Sequence, residues 1–234
     1  MENEHSQAQM QAQFLAEQER LSAQLDFAHC LTLPDIHTAA GVDLAYWNTP
    51  DGVQHAVCCI AVLDVQTHSV ICRAEKSGII TVPYMPGFLA FRELPLITET
   101  IALLTVTPDI YIFDGNGILH PRRMGIAAHA GAALGIVSMG IAKTYYRVDD
   151  TDYTEPDAAA GSYTDIVIGG EARGRVLRTH TDVKPVFVSV GNRISLDTAT
   201  ELALALTDKE SRIPLPTRIA DLDTHIARRN AQGQ

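Results

Sequence analysis

The stretch DIYIFDGNG (Asp109–Gly117) restricts the fold more than any other part of the chain. Ile110 to Phe113 form a short apolar run without alternation, the pattern of a strand covered on both faces, as in parallel sheets. The run ends on a carboxylate, Asp114, and two glycines then break it. RRMGIAAHAGAALG (Arg122–Gly135) has the small, apolar composition of a packed helix, and IVSMGIAK (Ile136–Lys143) is a second apolar strand. Strand, helix and strand in succession give a parallel crossover unit. In such sheets ligands gather at the carboxyl ends of strands, where this sequence places Asp114 and Lys143.

The remaining segments surround that unit. Residues Ser6–Ala28 have apolar points at Phe14, Leu15, Leu21, Leu25 and Phe27, so an amphipathic helix is expected within residues 1–30. Gly41–Trp47, His55–Val65 and Ser69–Lys76 are β-branched and apolar, separated by the turn signals NTPDG and QTH, and predict three antiparallel strands. A helix is expected over Phe88–Val106. The polar segment Thr144–Asp165 reads as a surface insertion, GRVLRTH with KPVFVSVG as a strand pair, and Ser195–Thr207 as a helix with Ser195 at its N-cap. The expectation is an α/β domain over 1–234: a mixed sheet of antiparallel strands followed by parallel strands, flanked by helices.

With 46% hydrophobic residues and a mean hydropathy of +0.03, the composition is that of a globular protein. No apolar run approaches the roughly 20 residues of a membrane span, and the N-terminal residues lack the basic start and apolar stretch of a signal peptide. A cytoplasmic monomer is expected. Cys30, Cys58, Cys59 and Cys72 form no CxxC pair and read as reduced core residues. A net charge of -10 argues against a nucleic-acid partner on average, but local patches and bound metal decide binding.

Asp43 lies in the first apolar strand, Asp114 ends a later one, and Glu93 (FRELP) sits on the helix between them. Each acid read alone is a turn former or an ion-pair partner. Three on separate elements point to an oxygen-ligand site for Mg²⁺ or Mn²⁺, which would draw in a phosphate beside His120, Arg122 and Arg123. The alternative for those three is a hydrogen-bonded loop histidine and solvated surface cations. In VPYMPG, Pro83 and Pro86 stiffen a loop that offers Tyr84 and Met85 outward. It is either a wedge for insertion between bases or a hydrophobic plug.

GVDLAYW, VPYMPGFLAFRELP, FDGNGILHPRRMGIAAHAGAALGIVSMGIAKT, KPVFVSVGNRISLDTA and RIPLPTRIADL together resemble the endonuclease V family, over about Thr38 to Asp223. The resemblance implies a ribonuclease H-like fold and Mg²⁺-dependent hydrolysis of the second phosphodiester 3′ to a deaminated adenine in DNA. It makes Asp43 and Asp114 metal ligands and Glu93 a third acid. Lys143 and His120 would hold the nucleophilic water and the scissile phosphate. It also makes Pro83, Tyr84, Met85 and Pro86 a wedge, and builds a pocket for hypoxanthine from backbone near Gly87, Leu89, Gly115, Ile126 and Gly140. Asn192 stands where many members have histidine and is expected, with Arg122 and Arg123, among the phosphate contacts. Asn116 in DGNG is a second departure. An inosine-specific endoribonuclease and a lesion-binding protein with weak turnover are the alternative functions.

Overall fold

A computed structural model describes residues 2–233, with side chains from residue 7; Met1 and Gln234, the ends of the expected 1–234 domain, lie outside the described residues. One eight-stranded sheet runs in the order β3-β2-β1-β4-β5-β8-β7-β6. Strands β1 (Thr38–Asn48), β2 (Gln54–Asp64) and β3 (Val70–Ile79) form the antiparallel meander. β1 then pairs parallel with β4 (Ile110–Asp114), and β4 parallel with β5 (Ser138–Ala142). β8 (Val186–Asn192), β7 (Glu171–Leu177) and β6 (Tyr163–Ile168) complete the sheet in antiparallel pairs. The order of antiparallel then parallel strands is the one expected. No helix among the described residues is long and apolar enough to cross a membrane.

Both faces of the sheet are covered. Helices α2 (Leu89–Ile101) and α3 (Ile126–Leu134) close the face that carries Val42, Tyr111 and Phe113. The opposite face, carrying Ile112, Met139 and Ile141, packs on α4 (Leu196–Ala205). That double burial explains why β4 is apolar at four successive positions; replacing the buried Phe113 by Ala would cost about 3–5 kcal/mol. α3 begins at Gly125, and Gly135 ends it in the left-handed conformation, φ 65°, which glycine adopts without steric cost. Ser195 caps α4 by accepting from the Thr198 amide. Helix α1 (Glu2–Ser22) lies against α3, its Phe14 ring stacked 3.9 Å from that of Phe91.

Three expectations change. The segment 144–165 is not wholly a surface loop: it ends in edge strand β6, and Val148 is fully buried with Leu119, Ile166 and Phe187 in a separate apolar cluster. Its high polarity hid these few apolar anchors. A further helix, α5 (Leu215–Ala231), packs on β1 and β2. The approach is so close that a Cβ on Gly41 would lie 2.0 Å from the Pro216 carbonyl. Of the cysteines, Cys58 and Cys59 are buried while Cys30 and Cys72 are half-buried; all four are free.

His129 on α3 is 3% exposed, edge-on to Phe91 at 4.7 Å, and its Nδ1 has no partner. Burial lowers its pKa from 6.5 to about 4. The folded state thus resists a proton that the unfolded chain accepts, so stability is intact above pH 6.5 and falls as pH drops towards 4. Urea unfolding of wild type and His129→Leu at pH 7 and pH 5 should show the substitution removing about 2 kcal/mol of the acid-induced loss.

Candidate active site

The parallel register positions the first two acids. Val42 stands opposite Phe113 in the β1–β4 ladder, so the next residue on each strand is a carboxylate, Asp43 beside Asp114. Asp114 is opposite Ile141 on β5, and two residues further on the same side Lys143 returns to it, Nζ 2.7 Å from Asp114 Oδ2. Helix α5 brings a third acid. Asp221 accepts from the same Lys143 at 3.0 Å, and Thr224, one turn on, donates to Asp43 Oδ2 at 3.0 Å. Asp43, Asp114 and Asp221 offer oxygens that all lie within 4.8 Å of one another.

Asp221 was not among the acids singled out in the sequence. The available signal was the run RIPLPTRIADLDTHIA, in which Ala220, Thr224 and Ala227 are small residues at helical spacing and now form the buried stripe of α5. An acid one residue from that stripe is carried to the edge of whatever the helix covers. Glu93 takes a different place: it lines a cavity of about 30 Å³ with Asp43 and Asp114, room for one or two waters. It reaches that cavity from α2, with its Oε1 accepting from the Tyr46 hydroxyl at 2.5 Å.

Burial and charge raise the pKa values of the acids around the cluster. Burial, then the adjacent Asp114 charge, pushes Asp43 up to about 6, with Thr224 opposing. Burial pushes Glu93 up to about 7 against the Tyr46 hydrogen bond. Burial would lower Lys143, but the Asp114 hydrogen bond and charge overcome it and raise the ammonium above its ordinary range. Asp43, Asp114 and Asp221, ionised against the single Lys143 ammonium, leave two negative charges unbalanced even before Glu93 is counted. Hard oxygen donors with that deficit fit a divalent cation.

A second cavity, about 140 Å³, adjoins the acids across Ile126, which lines both. Its walls include Tyr84, Gly87, Leu89, Gly115, Asn116 and His120. Helix α2 starts there without a side-chain cap on Phe88; the Phe91 amide turns back to the Phe88 carbonyl, which leaves the Leu89 and Ala90 N–H groups of the first turn available. Asn116 Oδ1 is buried without a partner. Gly140 does not line the cavity: a Cβ there would meet the Gly115 carbonyl at 2.3 Å, so it lies beneath the floor and lets β4 and β5 close up.

Several other expectations are corrected by position. His120 is not with the acids but on this second cavity, its ring stacked on Tyr146. Burial and the Arg122 charge lower its pKa to about 4, and Nδ1 accepts from the Arg122 and Met124 amides, so the proton of the neutral ring is on Nε2. Tyr84 is 66% exposed, but Met85 is buried at 7%, leaving Tyr84 as the outward side chain between the exposed Pro83 and Pro86. Asn192 is 3% exposed, at the opposite end of the sheet beside Ser138. Its amide is consumed by the Asp26 amide and the Gly131 and Ile136 carbonyls; it ties loops together and is no phosphate contact. Arg122 and Arg123 are half-buried and already paired, Arg122 with Gln18 and Gly87 and Arg123 with Glu171.

A sheet of this topology, with a carboxylate cluster where the parallel pairing of β1 and β4 ends, is of the ribonuclease H-like fold class; the Argonaute of A. aeolicus shares the fold at TM-score 0.53 and 15% identity, over 82% of this chain and 28% of that one. Within that class the chain belongs to the endonuclease V family, whose pattern matches residues 19–222. The Bacillus subtilis endonuclease V is 48% identical over 92% of this chain and 90% of its own length. Its crystal structure superposes with TM-score 0.91, covering 95% and 94% of the two chains. The Ciona intestinalis endonuclease V, solved with a 24mer DNA containing an inosine, has the same fold at TM-score 0.85 and 23% identity, over 95% of this chain and 99% of that one.

The elevated pKa of Asp43 depends on its neighbour. Carboxyl titration by NMR in metal-free buffer should place it near 6, and Asp114→Asn should lower it by about one unit by removing the like charge.

Proposed function

We propose that the protein is a DNA repair endonuclease that turns deoxyinosine out of the helix and hydrolyses the second phosphodiester on its 3′ side with Mg²⁺. The observation that carries this reading is the adjacency of two sites across Ile126: a carboxylate cluster and a largely apolar cavity with glycine walls. A nuclease that read only backbone would need the first and not the second. In the Ciona protein the DNA carries inosine; for this chain the support comes from its own cavity and from its family.

Asp43, Asp114 and Asp221 would hold the cation, and Mn²⁺ fits the same donors. When bound, a divalent ion acts as a Lewis acid towards the phosphate and lowers the pKa of its water. Glu93 holds a water through the carboxylate oxygen that Tyr46 leaves open. Lys143 presents its ammonium to the scissile phosphate. Tyr84, between Pro83 and Pro86, fills the space left by the extruded base, and the small cost of extruding a mispaired base already favours the lesion.

The flipped base sits among Gly87, Leu89, Gly115 and Ile126. First-turn N–H groups of α2 donate to hypoxanthine O6. Adenine would turn an amino donor against those donors and leave them unpaired, a penalty that discriminates strongly. Neutral His120 closes the rim beside Gly87. The enzyme acts as a monomer in the cytoplasm, where its free cysteines stay reduced.

Nicking of an inosine-containing duplex should require Mg²⁺ and vanish in Asp114→Ala, with binding of the duplex largely retained. Tyr84→Ala should weaken binding of the lesion about tenfold, the loss of one stacking contact, while the rate from the bound complex changes less. A matched inosine RNA cut faster than the DNA would move the substrate to RNA. Equal nicking by Asp114→Ala and wild type would remove the metal assignment.

A further inference from the structure

Gln18 on α1 is 1% exposed, an unusual setting for an amide side chain. Its Nε2 donates to the Gly87 carbonyl at 2.9 Å and the Met124 carbonyl at 3.4 Å. Its Oε1 accepts from Arg122 Nε at 2.5 Å. The orientation of the amide is fixed by its partners, because a guanidinium cannot accept and a carbonyl cannot donate. Arg122 completes the arrangement: Nη2 donates to the same Gly87 carbonyl at 2.7 Å, and the guanidinium lies over the Phe88 ring at 4.4 Å.

Gly87 and Met124 are both walls of the cavity beside the acids. They come from different parts of the chain, one from the proline loop before α2 and the other from the segment between β4 and α3. One side chain from α1 therefore ties both walls. Gly87 has φ +80°, and a Cβ there would lie 2.7 Å from Arg122 Nη2, so the turn suits glycine for two reasons. Gln18 lies one residue before the stretch that matches the family pattern.

We propose that Gln18 is a positioning residue for the base cavity: through the Gly87 and Met124 carbonyls and through Arg122 it holds the proline loop and the β4–α3 segment at the separation that fits a flipped purine. The inference rests on the reading of that cavity as the lesion-base site. Gln18 touches no substrate. Its effect is to preorganise, so that ordering of the loop is not charged to DNA binding.

The test compares wild type, Gln18→Met and Phe14→Leu. Methionine keeps the length and volume of the side chain and removes its hydrogen bonds; Phe14→Leu loosens the packing of α1 and keeps them. Amide hydrogen exchange over residues 83–90, read without DNA, should be about tenfold faster in Gln18→Met, the equivalent of one buried hydrogen bond, and change less than about twofold in Phe14→Leu. On inosine duplex with Mg²⁺, Gln18→Met should raise KM about tenfold with kcat little changed, the split expected when ground-state and transition-state binding are lost together. Exchange identical to wild type, or raised equally by both substitutions, overturns the inference. So does an unchanged KM in an enzyme that nicks inosine DNA. If wild type fails to nick inosine DNA while Gln18→Met still accelerates exchange, the reading of the substrate falls and the clamp itself stands.

Discussion

Two carboxylates held side by side where the parallel pairing of β1 and β4 ends repel one another, and much of the surrounding architecture works to keep them there. At the separation in this cluster, under 4.8 Å, two full charges repel by about 3–4 kcal/mol at an effective dielectric of about 20. The β1–β4 register fixes their backbones, Lys143 at the end of β5 neutralises part of the charge, and Thr224 on α5 donates to Asp43. The negative charge that remains unbalanced is compatible with a divalent cation.

The tip of β4 serves two sites at once. Asp114 faces the acids, while the next two residues, Gly115 and Asn116, face the second cavity. Helix α2 does the same from the other side, with Glu93 on the acids and Leu89 and Ala90 on the cavity. Because both elements are shared, the distance between the two cavities is set by β4 and α2 themselves.

The unbroken apolar run of β4 and the small-residue composition of α3 made the parallel core readable, and with it Asp114 and Lys143 as strand-end groups and Asp43 as an acid within an apolar strand. What escaped did so for physical reasons. Asp221 belongs to an amphipathic helix whose buried face is built from alanine and threonine, which carry little hydrophobic contrast. Strand β6 sits behind a run of acids that masks Val148 and Ile166. Met85 and Tyr84 are adjacent and similar in apolarity, and only the fold decides which one turns inward. Asn192 is a buried polar residue and the two arginines are half-buried ones, all held by partners tens of residues away.

The placement of Asp221 on α5 has a temporal consequence. A nascent chain can pair β1 with β4 and β5 and still lack a third of its carboxylate cluster, because that acid arrives 178 positions after Asp43, on the last of the helices. Chains fold from the N-terminus as they emerge from the ribosome, so a truncated or half-made copy carries an incomplete centre. Until α5 has formed, the strands hold two of the three acids apart from the helix that supplies the third.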